Sequence, residues 1–325
     1  MKNGKGIPPV TTQINPINQT PLATPQTKSD HSSGSTWLWR GYSIRYQVYG
    51  DQTGQPLVLI HGFGASIGHW RKNSPVFAEA GYQVFVLDLL GFGASTKPPL
   101  DYSLELWEAL LADFWQEHIQ TPAVFIGNSI GGLLALMMLA HHPQMSAGGV
   151  LLNCAGGLNH RPDELNPVLR TVMGTFTKVV SAPVIGPLMF NEIRRKFRLR
   201  STLKQVYGDR TAVTDELVEM IYEPTCDPDA QKVFASILTA PPGPKPSELL
   251  PQITQPLLVL WGDADPWTPI SGSTIYQDLA KAEPERVTFQ GIPNAGHCPH
   301  DECPDKVNPP ILHWLSSIAA QPSMA

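Results

Sequence analysis

Short, almost wholly apolar runs alternate along this chain with stretches in which apolar residues return every three or four positions. Leu57 to Ile60, Tyr82 to Asp88, Ala123 to Ile126, Gly149 to Asn153, Leu257 to Trp261 and Val287 to Ile292 read as strands, because a strand covered on both faces keeps no polar side. Ser103 to His118 and the good helix formers Leu133 to Ala140 read as helices, and a further helix starts near Pro304. At the front, Trp37 to Arg40 and Tyr42 to Tyr49, split by Gly41, predict an antiparallel hairpin. Together these elements predict an α/β architecture: a mostly parallel eight-stranded sheet with helices on both faces.

Two segments break the alternation. Residues 157–251 mix helical patterns with prolines and are too long for a loop inside a compact domain. They predict a helical cap inserted between strands 6 and 7, with residues 37–156 and 252–319 forming the sheet domain. Inside that cap Val179 to Phe190 is strongly apolar, while Asn191 to Arg210 carries seven basic residues against two acidic ones. One reading is a lid whose Val184 and Phe190 line an apolar channel while Arg194, Arg195, Lys196 and Arg198 face an anionic membrane surface. The other is a buried helix followed by a solvated one.

The second segment, Met1 to Thr36, is rich in Thr, Asn, Gln, Pro and Ser and predicts a flexible N-terminal tail. It lacks the apolar segment of a secretory signal, and its lack of arginine argues against a transit peptide. No run elsewhere reaches the roughly 18 apolar residues of a membrane span.

With 325 residues and 42% hydrophobic content the chain can bury a large sheet, and its net charge of −5 argues against a nucleic-acid partner. Four cysteines at this length do not resemble a disulfide scaffold, which points to a reducing compartment.

The chemistry starts at Gly127-Asn128-Ser129-Ile130-Gly131. A strand, a glycine-flanked serine and a helix in succession describe the nucleophile elbow of α/β-hydrolases, in which a sharp turn lifts the hydroxyl clear of the backbone. The Ile130 N–H, at the new helix's start, is one candidate oxyanion donor, and the Phe63 N–H in His61-Gly62-Phe63-Gly64 is the second. An acid and then a histidine follow in the order that this fold uses. Asp265 is preferred to Asp263 in Gly262-Asp263-Ala264-Asp265-Pro266-Trp267-Thr268-Pro269, because hydrolases with this turn carry the acid four residues before the proline. His297, in a loop after the last strand, is the candidate base, whereas His300, His141 and His142 read as packed or solvated. Trp267, Phe190 and Val184 are the candidate substrate contacts. The cluster His297-Cys298-Pro299-His300-Asp301-Glu302-Cys303 crowds its ligand types into seven residues instead of pairing them across the chain. It is therefore not read as a zinc site, and no metal or cofactor is called for.

More particular stretches surround these motifs. His61 to Ser66 with His69-Trp70-Arg71, Asp88 to Ser95, Leu151-Leu152-Asn153-Cys154-Ala155-Gly156-Gly157, Trp261-Gly262-Asp263 and Gly296 to Asp301 resemble the chlorophyll dephytylases, relatives of the pheophytinases. The likeness runs from about Pro56 to Leu315 and includes Glu216 to Glu219 and Ala240 to Pro244 in the cap. It implies an α/β-hydrolase fold, a Ser129–Asp265–His297 triad, and hydrolysis of the phytyl ester of chlorophyll or a magnesium-free pigment. It also implies a place in the cytoplasm or peripherally at the thylakoid membrane. The short tail fits a cyanobacterial origin better than a plastid-targeted precursor. Cys303, where a basic residue is expected, and the tail depart from the family's pattern.

The same triad and a similar cap also serve carbon–carbon bond hydrolases of ring-cleavage products and general esterases of apolar substrates, which remain the alternatives. An epoxide hydrolase or haloalkane dehalogenase would carry an aspartate at position 129. A non-catalytic receptor on this fold would not need all three of Ser129, Asp265 and His297.

Overall fold

The computed structural model describes residues 34–159, 161, 175, 179–180 and 182–320. Eight strands, β1 (Ser35–Trp39), β2 (Tyr42–Tyr49), β3 (Pro56–Ile60), β4 (Gln83–Leu87), β5 (Ala123–Asn128), β6 (Ser146–Leu152), β7 (Leu257–Gly262) and β8 (Val287–Ile292), form one sheet. Their order is β1-β2-β4-β3-β5-β6-β7-β8. β1 and β2 form the expected hairpin, β2 pairs antiparallel with β4, and every later pairing is parallel.

The continuous apolar runs follow from burial on both faces. Val58, Ile60, Phe85, Leu87, Phe125, Leu151 and Val259 point to one side. Their neighbours Leu57, Leu59, Val84, Val86, Val124, Ile126, Val150, Leu152, Leu258 and Leu260 point to the other, as the two-residue period of a strand requires. On the first face lie α2 (Leu104–His118) and α3 (Ile130–His141), with Trp107, Leu110 and Phe114 fully buried. Each such side chain contributes about 1.5–3 kcal/mol on leaving water. Ser103 starts α2 by accepting a hydrogen bond from the Leu106 N–H at 3.3 Å. The second face is covered by α1 (Ser74–Glu79) through Phe77 and by the C-terminal helix Pro304–Ala319 through Val307, Ile311 and Trp314.

Between β6 and β7 the described residues form α4 (Ile185–Ile193), α5 (Lys196–Val206), α6 (Asp215–Tyr222) and α7 (Ala230–Thr239). After β7 come α8 (Thr274–Ala282) and, beyond β8, the C-terminal helix just described, here α9. The tail expected over Met1 to Thr36 lies outside the described residues up to position 33. Its last two members do not belong to a tail, because Ser35 and Thr36 pair with Tyr46 and Arg45 in β1. Among the described residues no helix is long and apolar enough to cross a membrane.

All of the parallel strands end on the same edge. The loops that leave it carry Gly62 and Phe63 after β3, Ser129 after β5, Asn153 after β6, Asp265 after β7 and His297 after β8. In open α/β sheets this carboxyl edge is where ligands bind.

Candidate active site

Ser129 joins β5 to α3 with φ 57° and ψ −120°, a backbone conformation that side-chain-bearing residues rarely adopt. The neighbouring glycines explain how the turn closes: a Cβ on Gly131 would overlap the Ile60 carbonyl oxygen, and one on Gly127 would overlap that of Gly131. Strain of this kind persists only where surrounding contacts hold it. Here the Ser129 N–H donates to Leu152 O at 3.0 Å, and the Ser129 carbonyl accepts from Gly132, Leu133 and Ala155.

Across the sheet edge His297 Nδ1 lies 2.7 Å from Asp265 Oδ2, with both side chains buried. A carboxylate only accepts, so Nδ1 carries the proton and Nε2 is left free to act as a base. Asp265 also accepts the backbone N–H groups of Trp267 at 2.7 Å and Thr268 at 3.1 Å, the Thr268 hydroxyl, and Asn153 Nδ2 at 2.7 Å. Burial alone would raise the Asp265 carboxyl, but the bonds and charge from His297, together with those from Thr268, hold it below the usual carboxylate range. Asp263, two residues away, is exposed and accepts from the Asn294 N–H at 2.7 Å, which shapes the next loop.

The serine and the histidine are tied together through Asn128, whose Nδ2 donates to His297 O at 2.8 Å and to Leu152 O at 3.1 Å. Sequence reasoning did not assign Asn128, Asn153 or Thr268 a role. The available signal was positional: Asn128 and Asn153 are the polar residues that close the apolar strands β5 and β6.

The loop after β3 lies against the serine, with the Gly62 position 3.3 Å from Ser129 Cβ when a Cβ is built there. His61 fixes this loop. Its Nε2 accepts from the Leu89 N–H at 3.0 Å, so Nδ1 carries the hydrogen and donates to Gly62 O at 2.8 Å. Burial lowers the pKa of His61 and so favours this neutral form. Phe63, the next residue of the loop, borders the same cavity as Ser129, while Ile130 is the first residue of α3, whose leading N–H groups have no carbonyl one turn back.

A cavity of about 250 Å³ opens between this edge and the cap helices. Ser129, His297 and Trp267 border it from the sheet side, and Phe190, Leu203 and Phe234 from the cap. Trp267 packs against His297 with ring centroids 5.4 Å apart. Lys97 and Arg194 also line it, and no carboxylate among the described residues does. Lys97 is buried and donates to the carbonyl oxygens of Gly93 at 2.6 Å and Ser95 at 3.2 Å.

The cap departs from expectation at two points. Val184 is 71% exposed and does not border the cavity, because the helix begins one residue later and turns Phe190 inward instead. The four basic residues do not form one free face either. Arg194 lines the cavity, Arg195 and Arg198 pair with Glu192, and Lys196 pairs with Glu219 at 2.5 Å. Exposed apolar side chains, Ile185, Leu188 and Phe197, stand beside them.

The cluster after His297 is engaged in other ways. Cys298 contacts Asn128, His300 stacks on Trp70 with centroids 4.3 Å apart, and Asp301 pairs with Arg71 at 2.6 Å and Lys72 at 3.2 Å. Among the described residues no three His, Cys, Asp or Glu side chains converge as a metal site would require. His141 and His142 lie near the end of α3, where both face Glu108.

The alpha/beta hydrolase family matches residues 57–309 of the chain. The chloroplastic pheophytinase of Arabidopsis thaliana is 30% identical over 320 residues, which cover 85% of this chain and 64% of that protein. This chain thus spans less than two thirds of that relative's length. The 2-hydroxy-6-oxo-6-(2'-aminophenyl)hexa-2,4-dienoic acid hydrolase of Metapseudomonas resinovorans is 26% identical over 283 residues, covering 86% of this chain and 89% of that one. Among solved structures, a serine hydrolase involved in carbazole degradation superposes with a TM-score of 0.68 at 22% identity, covering 88% of this chain and 99% of the other.

Proposed function

The chain belongs to the alpha/beta hydrolase family, and from that premise we propose that it is a serine hydrolase of carboxylic esters whose substrate is a phytylated pigment, chlorophyll or a relative of it. The observation that carries this reading is the buried Asp265–His297 pair, whose imidazole borders the same apolar cavity as Ser129 on its strained elbow.

In this reading His297 Nε2 removes the Ser129 proton as Oγ attacks the ester carbonyl carbon, and Asp265 stabilises the imidazolium that forms. The Phe63 and Ile130 N–H groups receive the charge that develops on the carbonyl oxygen. The intermediate collapses, the C–O bond breaks, and His297 gives its proton to the departing alcohol. Water, activated by the same imidazole, then attacks the acyl-enzyme and releases the acid. No cofactor takes part.

Two facts support the long apolar alcohol: the cavity's apolar walls and the likeness to pheophytinase. A membrane-resident pigment further calls for peripheral contact with a lipid surface. Ile185, Leu188 and Phe197 suit that contact better than the ion-paired arginines do.

One observation favours a second reading. Lys97 and Arg194 border the cavity and no carboxylate among the described residues does, which suits an anionic ring-cleavage dienoate, and the relative from Metapseudomonas resinovorans is named for such a substrate. Turnover of chlorophyll a, pheophytin a, short p-nitrophenyl esters and a ring-cleavage dienoate by the purified protein separates the two. The proposal expects the phytylated pigments to give the highest kcat/KM. A dienoate preferred by tenfold or more, about 1.4 kcal/mol, would overturn it.

A further inference from the structure

Three backbone donors converge on the carboxylate of Glu302, where the cap rejoins the sheet edge. The Gly208 N–H meets Oε2 at 3.0 Å, the Asp209 N–H meets Oε1 at 2.7 Å, and the Gly296 N–H meets Oε2 at 2.9 Å. Gly208 and Asp209 follow α5 almost immediately, and Gly296 directly precedes His297. The His297 N–H itself donates to O of Val206, the last residue of α5, at 2.8 Å. A Cβ on Gly296 would overlap that same Val206 oxygen, so the two backbones lie in contact. Three bonds to an ionised acceptor are each stronger than a neutral backbone pair.

The helix fastened in this way is also a wall of the cavity, which Leu199, Leu203 and Val206 border. We propose that Glu302 is a positioning residue that locks α5 to the His297 loop, so that filling the apolar cavity sets the alignment of the imidazole with Ser129. An apolar chain packed on Leu199, Leu203 and Val206 orders α5. The carboxylate passes that order to the backbone on either side of position 296, and the imidazole follows. A short substrate leaves those wall contacts unmade. The kinetic consequence rests on the ester-hydrolase reading, while the mechanical coupling does not.

Glu302→Gln in the full chain tests it. The amide keeps the side chain's length but turns one accepting oxygen into an NH₂ group that faces N–H donors. A p-nitrophenyl ester series from acetate to decanoate is measured, with kcat counted per active site by phosphonate titration. In the wild type kcat rises with chain length. In Glu302→Gln it falls by about 10- to 100-fold on the long esters, as expected for a displacement near 1 Å. Its dependence on chain length flattens, and KM changes less than about threefold. A variant with a lower Tm and fewer titratable sites, but wild-type kcat per site at every length, would overturn the proposal.

A second measurement needs no variant. On addition of a long-chain alcohol to the wild type, amide hydrogen exchange at residues 207–210 and 296–297 slows together. Protection of the first segment without the second would equally overturn it. A wild type that hydrolyses none of the esters removes the ester reading, and the exchange experiment still decides the coupling.

Discussion

Asn153 Nδ2 donates to Asp265 Oδ2 at 2.7 Å, the same oxygen that faces His297 Nδ1. Asn153 adopts φ 44°, a left-handed conformation that asparagine tolerates better than most residues. Its Oδ1 also accepts the Gly262 N–H at 2.9 Å. One amide therefore clasps the ends of β6 and β7 and presents a donor to the acid. The nearly isosteric Asn153→Asp tolerates the same backbone but sets a second carboxylate against Asp265. We expect kcat of ester hydrolysis to fall by about 10- to 100-fold, of the order seen when partners of an orienting carboxylate are lost. Unchanged kcat at pH 7 would show that Asp265 does not need this donor.

Ser129→Ala is expected to remove ester hydrolysis by roughly 10³-fold or more while leaving the fold intact. The hydroxyl adds little to the core, and replacing serine at φ 57° leaves the backbone requirement much as it was. Circular dichroism and the ester assay check both halves, and near wild-type turnover removes the serine mechanism.

Asp265→Asn and Asp263→Asn separate the two acids of the turn. The first loses the charge that fixes the His297 tautomer and is expected to cost about 10²- to 10⁴-fold in kcat. The second replaces one acceptor of the exposed Asn294 N–H by another and is expected to stay within about twofold. The opposite order in steady-state assays would reassign the acid.

Phe190 packs on Phe234 with ring centroids 5.3 Å apart and borders the cavity, whereas Val184 is exposed. Phe190→Asp is therefore expected to lower the ratio of long-ester to short-ester kcat/KM by about tenfold or more, because it puts a charge in the path of the apolar chain. Val184→Asp is expected to leave that ratio within about twofold. Taking a ratio cancels any loss of folded protein, and equal ratios for both variants would remove Phe190 from the substrate path.

Acid should weaken the junction beneath the cap. His69 Nε2 lies 3.0 Å from the Tyr207 hydroxyl, whose hydrogen goes to Asp301 at 2.8 Å. Burial pushes His69 down to about 4, partly offset by the Asp301 charge, and pushes His300 well down too. The unfolded chain thus binds protons below about pH 6.5 that the fold refuses until about pH 4, so stability falls as pH falls through that window. His69 alone contributes a loss of up to about 3 kcal/mol. The lowered carboxyls of Asp265 and Asp301 act in the same direction only below the usual carboxylate range. Urea unfolding at pH 7 and pH 4.5 measures the loss, and His69→Gln should shrink it. A loss of equal size in the variant would assign the effect elsewhere.

The succession of strands along the chain, the strand–serine–helix turn around Ser129 and the acid–histidine succession were legible in the sequence, because each depends on local rules. Strands buried on both faces must be apolar throughout, and a strand-to-helix turn as sharp as that at Ser129 needs small neighbours at positions 127 and 131. Asp265 is preferred to Asp263 on its place four residues before Pro269, the place of the acid in hydrolases with this turn. The partners that hold the acid were not legible. Asn153 acts on Asp265 only because parallel pairing of β6 and β7 brings residues 153 and 262 side by side, and an asparagine after a strand reads locally as a turn former, while Thr268 bonds Asp265 from within the same turn.

The cap shows the same limit. Its apolar and basic content was plain, yet which residues turn inward depended on where α4 begins and on which carboxylates lie opposite. Val184 therefore faces outward, Arg194 faces inward, and the remaining basic residues find Glu192 and Glu219. Glu302 read only as a member of the crowded cluster that does not suit zinc, and only the return of α5 to the His297 loop brought three donors to it. Periodicity and turn chemistry are properties of neighbours in the chain, and so the sequence by itself determined the strands and the loops that carry the candidate triad. Some of the contacts that orient those side chains, such as Asn153 with Asp265 and Gly208 with Glu302, join residues more than ninety positions apart, and only the tertiary structure decided them.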